Sequence, residues 1–186
     1  MSAIHFDNPA ASFYDMFADS SSLQAIMKMR ARDNQSEIIY LGSHGNENNI
    51  GPNAANAVSR AKFRNIIRDE NSAGNIKGLY LGTCLTGNEA TARFLLLGAD
   101  TKLEWLAGYK KSVEWVDGSA IDMIFFGKLA QEYLRNAKRR KGKRSARRMA
   151  HDAATALLRI VPGAHSAYGF NMFFCDNGKL TSMFGA

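Results

Sequence analysis

Two nearly identical pentapeptides, Tyr40-Leu41-Gly42-Ser43-His44 and Tyr80-Leu81-Gly82-Thr83-Cys84, carry the residues best suited to chemistry. Each is a short apolar run followed by glycine, a small hydroxyl residue and then an imidazole or a thiol. The two pentapeptides start forty positions apart. This offset is enough for a loop and a crossover helix, so we predict two neighbouring parallel strands. In matching register such strands lie about 4.8 Å apart, which would bring His44 and Cys84 together at the carboxyl edge of a sheet.

A histidine beside a cysteine can turn the thiol into a nucleophile. An unassisted thiol is only a few per cent ionised at neutral pH, and a neighbouring imidazole takes its proton. We predict that the amides of Gly45 and Cys84 form an oxyanion hole, because glycine allows close backbone approach to a substrate. A lone cysteine is usually a core residue, but the matched pair favours a Cys-His dyad. No third member is evident, and we interpret Asn46, Asn48 and Asn88 as turn residues.

Hydrophobic periodicity and turn residues predict the elements that position this pair. Alternating strands and helices indicate an α/β fold with a mostly parallel central sheet, helices on both faces and a C-terminal antiparallel hairpin. The predicted strands cover 37–41, 79–81, 103–107, 168–174 and 180–183; the predicted helices cover about 20–33, 57–69, 89–97, 119–136 and 146–160; a polar loop covers 46–56.

Length and composition favour one globular domain over residues 1–186, with 46% hydrophobic and 22% charged residues. No apolar run approaches the roughly 20 residues of a membrane span, and the N-terminus does not resemble a secretory signal. Two cysteines in this length suggest free thiols in a reducing compartment, so we expect a cytoplasmic protein. The histidines outside the pentapeptides, His5, His151 and His165, lack cysteines or acids at ligand spacing, so we predict no metal and no cofactor.

The net charge of +7 comes from one segment. Nine of the 24 basic residues lie in Arg135–Arg148, which contains no acid, and the remaining 15 face 17 acidic residues elsewhere. We predict a basic, mobile linker at about 137–145 between two helices. A contact with nucleic acid or an acidic partner and a merely solubilising loop are the alternatives, and the scarcity of aromatic residues around the segment weakens single-strand stacking.

The order of these motifs resembles the caspase-like (clan CD) cysteine peptidases, and is closest to the CHAT and separase-like domains. Leu81–Gly87 is similar to the CHAT cysteine loop, and the helix that follows and the segment Gly108–Phe126 resemble their family counterparts. The resemblance covers roughly Glu37 to Leu134. It implies a caspase-like three-layer sandwich that hydrolyses peptide bonds through a thioester, with Cys84 as nucleophile and His44 as acid and base.

The resemblance also implies how a substrate is chosen. Separase-like enzymes place an acid in the pocket that receives the residue before the cut, and so select arginine or lysine. Asp117 falls at the matching place, Asp122 is its competitor, and Trp115 is expected to wall the pocket. Caspase-like enzymes often cut themselves between subunits, which makes the basic segment a candidate self-cleavage site at Arg139, Arg140, Lys141, Lys143 or Arg144.

Two other functions remain open at this point. One is an inactive caspase-like fold that serves as a nucleic-acid or protein interaction module through the basic segment. The other keeps the dyad for a different acyl transfer, such as amidase chemistry. The expected partners are a protein or peptide substrate and a regulatory protein, with nucleic acid less favoured and no membrane contact.

Overall fold

Five helices and eight strands make up the described part of the chain, which is residues 12–33, 35–98 and 100–184 of a computed structural model. In chain order they are α1 (Ser20–Arg32), β1 (Ile38–Gly42), β2 (His44–Gly45), β3 (Asn49–Gly51), β4 (Val58–Ser59), α2 (Arg60–Glu70), β5 (Gly78–Gly82), α3 (Glu89–Leu96), β6 (Trp105–Tyr109), α4 (Trp115–Ala137), α5 (Ala146–Ile160), β7 (Phe170–Asp176) and β8 (Lys179–Ser182). No described helix has both the length and the apolar character to cross a membrane.

The central sheet has the strand order β1-β5-β6-β7-β8. Its first three strands are parallel, and β7 and β8 add an antiparallel hairpin. The two pentapeptides are direct neighbours in matching register, with Tyr40 opposite Tyr80 and Gly42 opposite Gly82. The predicted pairing is therefore confirmed, and the fold is α/β with a mixed sheet.

Helices cover both faces of this sheet, as predicted. Side chains alternate along a strand, so Leu79 and Leu81 of β5 belong to the core with α1, α2 and α3, whereas Tyr80 between them belongs to the core with α4 and α5. Tyr80 and Trp105 are fully buried under α4 and α5. The result is a three-layer arrangement that holds the strand ends in fixed positions.

The predicted polar loop over 46–56 contains part of a second sheet, with order β2-β3-β4. Its strands are only two or three residues long, too short for a hydrophobic pattern to reveal. The side chain of Asn46 turns the chain between β2 and β3, because its oxygen accepts from the amides of Asn48 and Asn49 at 2.9 Å each. Helix α2 begins later than predicted, because Ser59 caps it by accepting from the Lys62 amide at 3.2 Å.

Helix α4 begins at Trp115, four residues before the predicted start at 119. Its N-cap is Glu114, which makes no side-chain capping bond, so the usual sequence signal is absent. Asp117 lies in the first turn, and Asp122 lies one further turn along the helix. The earlier start places both acids and Trp115 on a single rigid element.

The basic segment forms a loop that is closed at its base. The Asn136 side chain donates to the Arg144 carbonyl at 3.1 Å and accepts from the Arg144 amide at 2.8 Å. The Lys143 ammonium donates to the carbonyl of Ala137 at 3.2 Å. Ser145 then caps α5. These bonds tie the predicted linker to the ends of α4 and α5.

Candidate active site

The paired strands β1 and β5 deliver His44 and Cys84 to the same edge of the sheet. The register ends with Gly42 opposite Gly82, and each reactive residue follows two positions later. His44 is exposed and belongs to β2, whereas Cys84 is half-buried in the loop before α3. The residue after the histidine packs on the cysteine backbone, since a Cβ on Gly45 would lie 3.1 Å from the Cys84 carbonyl oxygen.

The imidazole of His44 and the thiol of Cys84 lie at the same edge of the sheet and share no hydrogen bond among the described residues. The sulfur instead accepts a hydrogen bond from the Val113 amide at 3.5 Å and lies 3.8 Å from the Ser112 hydroxyl oxygen. Catalytic hydrogen bonds are often long in substrate-free sites and tighten on binding. The exposed His44 and the half-buried Cys84 therefore stay a predicted dyad.

The loop that carries Cys84 is held tightly on both sides. Leu85 has a left-handed backbone with φ 64°, a strained conformation for a side chain branched beyond Cβ, of the kind that concentrates at functional sites. The Leu85 amide donates to the Lys111 carbonyl at 3.3 Å, and the Gly87 amide donates to the Tyr109 carbonyl at 2.9 Å. Gly87 is required there, because a Cβ would lie 2.2 Å from the Gly108 carbonyl carbon.

Two buried threonines stabilise the same loop. The hydroxyls of Thr83 and Thr86 are hydrogen-bonded to each other, and the Thr86 hydroxyl also lies 3.3 Å from the Thr83 carbonyl oxygen. The Cys84 amide has no hydrogen-bond partner in the described part of the chain. It is therefore free to donate to a substrate carbonyl oxygen, as the oxyanion prediction requires.

The segment between β6 and α4 contacts both members of the pair. Val113 touches the sulfur, and Trp115 packs edge-on against the His44 ring with 5.7 Å between centroids. Trp115 is 59% exposed and lies at the border of the site. The sequence analysis expects it to wall the substrate pocket, which stays a prediction. Sequence reasoning missed Ser112 and Val113; the signal for them was their position just past the third parallel strand, at the same sheet edge.

Asp122 lies below the strand ends, surrounded by three tyrosine hydroxyls. Tyr40 donates to it at 2.8 Å and Tyr109 at 2.5 Å, and Tyr80 donates as well. The three tyrosines come from β1, β5 and β6. Burial raises the pKa of Asp122, while the three donors act against that rise. The same burial, together with the neighbouring carboxylate, raises the pKa of Tyr40.

This position corrects the sequence interpretation of Asp122. Its carboxylate is buried and already accepts hydrogen bonds from the tyrosine hydroxyls. A substrate guanidinium would have to displace these hydroxyls. Asp122 also lies beyond the first turn of α4, where the acid is Asp117.

Asp117 is the accessible acid of the two. It is exposed on the first turn of α4, and its charge raises the pKa of Tyr168. Asp117 and Trp115 are two residues apart on a helix and so do not face the same way. Asp117 lies in the first turn of α4, near a tyrosine that the sequence analysis did not single out.

The candidate self-cleavage residues are not brought to this site. They follow the opposite end of α4, and 23 helical positions from Trp115 to Lys138 correspond to roughly 35 Å. Arg144 is also engaged in ion pairs, at 2.9 Å with Glu132 and 2.6 Å with Asp152. The remaining candidates are exposed, namely Arg139, Arg140, Lys141 and Lys143.

Comparisons of the chain with protein-family models, with curated proteins and with solved structures gave no match.

Proposed function

We propose that this protein is a cysteine endopeptidase of caspase-like architecture. One observation carries the proposal: the matching register of β1 and β5, which sets His44-Gly45 against the backbone of Cys84. Support comes from the free Cys84 amide and from the strained Leu85 beside the nucleophile. Both cysteines are free thiols, and the proposal keeps the cytoplasm as the place of action.

In the proposed reaction, His44 removes the thiol proton of Cys84, and the sulfur electron pair forms a bond to the scissile carbonyl carbon. The Gly45 and Cys84 amides stabilise the oxyanion. Collapse of this intermediate breaks the C–N bond, and His44 returns the proton to the departing amine, leaving a thioester. Water, deprotonated by His44, then attacks the thioester, which releases the acid and restores the thiol.

We propose arginine or lysine as the residue before the cut. The support is Asp117, an exposed carboxylate two residues from Trp115, which itself contacts His44. A carboxylate pairs well with a guanidinium through two hydrogen bonds. The substrate would be a protein or peptide.

The test combines thiol labelling with peptide turnover. We expect iodoacetamide to alkylate Cys84 at least tenfold faster than Cys175, a thiol that is also half-buried, as read by peptide mass mapping. His44→Ala should abolish that difference. Fluorogenic peptides ending in arginine or lysine should be cleaved, and Cys84→Ala should lower turnover more than 1000-fold.

Cys175→Ala is the matched control, and its turnover should stay within twofold of the wild type. Equal labelling of the two cysteines together with no turnover of any peptide would show that the dyad is idle. Turnover of small amide substrates without peptide cleavage would favour the amidase alternative.

A further inference from the structure

A cleft of about 350 Å³ lies between α4 and α5, toward the end of α4 that is remote from the dyad. Four arginines line it, together with two acids and no large apolar side chain: Arg135, Arg144, Arg148, Arg159, Glu132 and Asp152. The α5 members recur at spacings of three to four residues, which places them along one side of the helix. The cleft is therefore a charged groove along one face of α5.

The two acids do not neutralise the four arginines. Glu132 pairs with Arg135 and Arg144, and Asp152 pairs with Arg144 and Arg148. Three guanidinium groups thus share two carboxylates, and each guanidinium offers five N–H donors. The fourth, Arg159, has no ion pair in the described part of the chain. The acids orient the arginines and leave a surplus of positive charge.

The closed loop beside the cleft adds further positive charge. Lys138, Arg139, Arg140 and Lys141 are exposed, and their side chains have no partner among the described residues. We call these four residues together with Arg159 the unpaired cations. With the cleft they form one basic face that runs from the loop along α5.

We propose that this basic face binds the phosphate backbone of a nucleic acid without reading its sequence. Eleven residues of α5 separate Arg148 from Arg159, roughly 17 Å, which spans about five phosphates of a strand at 3.4 Å each. Bidentate guanidinium groups fit phosphate oxygens. An acidic protein segment is less favoured, because protein interfaces centre on apolar and aromatic anchors, which the cleft lining lacks.

The described part of the same surface offers no aromatic ring on which a base could stack. Tyr133, the nearest aromatic residue, donates its hydroxyl to Glu37 at 2.7 Å and packs against the core. Stacking on aromatic side chains is therefore absent from the described part of this face. Binding should depend mainly on charge and leave the dyad open to substrate, because the loop cations begin at Lys138, roughly 35 Å from Trp115 along α4.

The test measures fluorescence anisotropy of a labelled 20-nucleotide single strand and a 20-base-pair duplex with the intact protein, between 50 and 200 mM salt. The five unpaired cations, each contacting one phosphate, predict a slope of log affinity against log salt between −3.5 and −4.5. Affinity should then fall roughly 100- to 500-fold across this range. Arg159→Gln should reduce the size of the slope by nearly one.

Two quadruple variants with equal loss of charge separate the basic face from general attraction. K138Q/R139Q/R140Q/K141Q should reduce the slope to about −1. K28Q/R32Q/K62Q/K179Q removes four exposed cations from other surfaces and should bind within threefold of the wild type. Equal losses in both variants, no binding at 50 mM salt, or tighter binding of polyglutamate than of either oligonucleotide would overturn the proposal.

Discussion

The backbone amide of Val113 donates to the sulfur of Cys84 over 3.5 Å. The donor belongs to the segment that begins α4, and two residues later Trp115 rests against His44. One rigid helix start therefore positions both members of the proposed dyad. Changes at this helix start should act on the reaction more than on stability, because its side chains are largely exposed.

Trp115→Ala should lower kcat/KM for basic peptides about tenfold, because His44 loses the ring that borders it. The unfolding free energy should change by less than about 1 kcal/mol, since Trp115 is 59% exposed. Steady-state kinetics and urea unfolding give the two values. Val116→Ala is the control, because Val116 is adjacent and 81% exposed; an equal loss of activity in both variants would refute the role of Trp115.

Asp117→Asn should reduce the preference for arginine over an uncharged residue before the cut by at least tenfold, mainly through KM. The reason is that the amide has nearly the same shape as the carboxylate but lacks the charge that attracts a guanidinium. Competition between paired peptides measures the preference. Tyr168→Phe keeps the Asp117 charge and should retain the preference; an unchanged preference in Asp117→Asn would assign specificity to another residue.

Asp122→Ala should destabilise the protein by about 1 to 3 kcal/mol, because the Tyr40 hydroxyl loses its acceptor. Tyr109 keeps the Gly118 carbonyl as an acceptor at 3.1 Å, and Tyr80 keeps the Tyr109 hydroxyl at 3.2 Å. Asp122→Asn keeps a carbonyl oxygen and should cost clearly less. Urea unfolding at neutral pH measures both. Equal stability of the alanine variant and the wild type would show that the tyrosines find other partners.

The same residue predicts a dependence of stability on pH. The pKa of Asp122 is raised in the folded protein, so the folded state binds this proton more tightly than the unfolded state does. Stability should therefore fall as pH rises from the ordinary value of 3.8 to the raised pKa, and level off above it. The difference between wild type and Asp122→Asn isolates this contribution, and parallel curves for the two proteins would contradict it.

The central sheet could be predicted from the sequence because its strands are recognisable as short apolar runs. The two pentapeptides repeat the same residues, and a repeated pattern fixes the relative register of two strands. The alternation of side chains along β1 and β5 also places Tyr40 and Tyr80 on one face. Their common partner could not be predicted, because Asp122 is 82 residues from Tyr40 in the chain.

The errors have equally local causes. The start of α4 was missed because Glu114 caps it without a side-chain hydrogen bond. The small sheet β2-β3-β4 was missed because its order comes from Asn46 side-chain bonds, not from hydrophobic alternation. The contact of Val113 with Cys84 depends on how β6 leaves the sheet, which a sequence pattern does not specify.

Self-cleavage in the basic segment, if the proposed activity is correct, should occur between two molecules. The segment lies roughly 35 Å from Trp115 along α4. The seven residues between the tied positions Asn136 and Arg144 make eight steps along the chain, a full length of about 27 Å, so the loop tip reaches only about half of that. The loop therefore cannot enter its own active site while these ties hold.

The measurement mixes a trace of wild-type enzyme with Cys84→Ala protein as substrate and follows intact mass over time. Cleavage of the inactive protein should occur within Lys138–Lys143, and its rate should rise in proportion to enzyme concentration. The variant K138Q/R139Q/R140Q/K141Q/K143Q, also carrying Cys84→Ala, should resist cleavage, because the exposed basic positions of the loop are then neutral. Wild-type protein that processes itself at a rate independent of dilution, while the inactive protein stays intact, would show cleavage within one molecule and hence an opening of this loop.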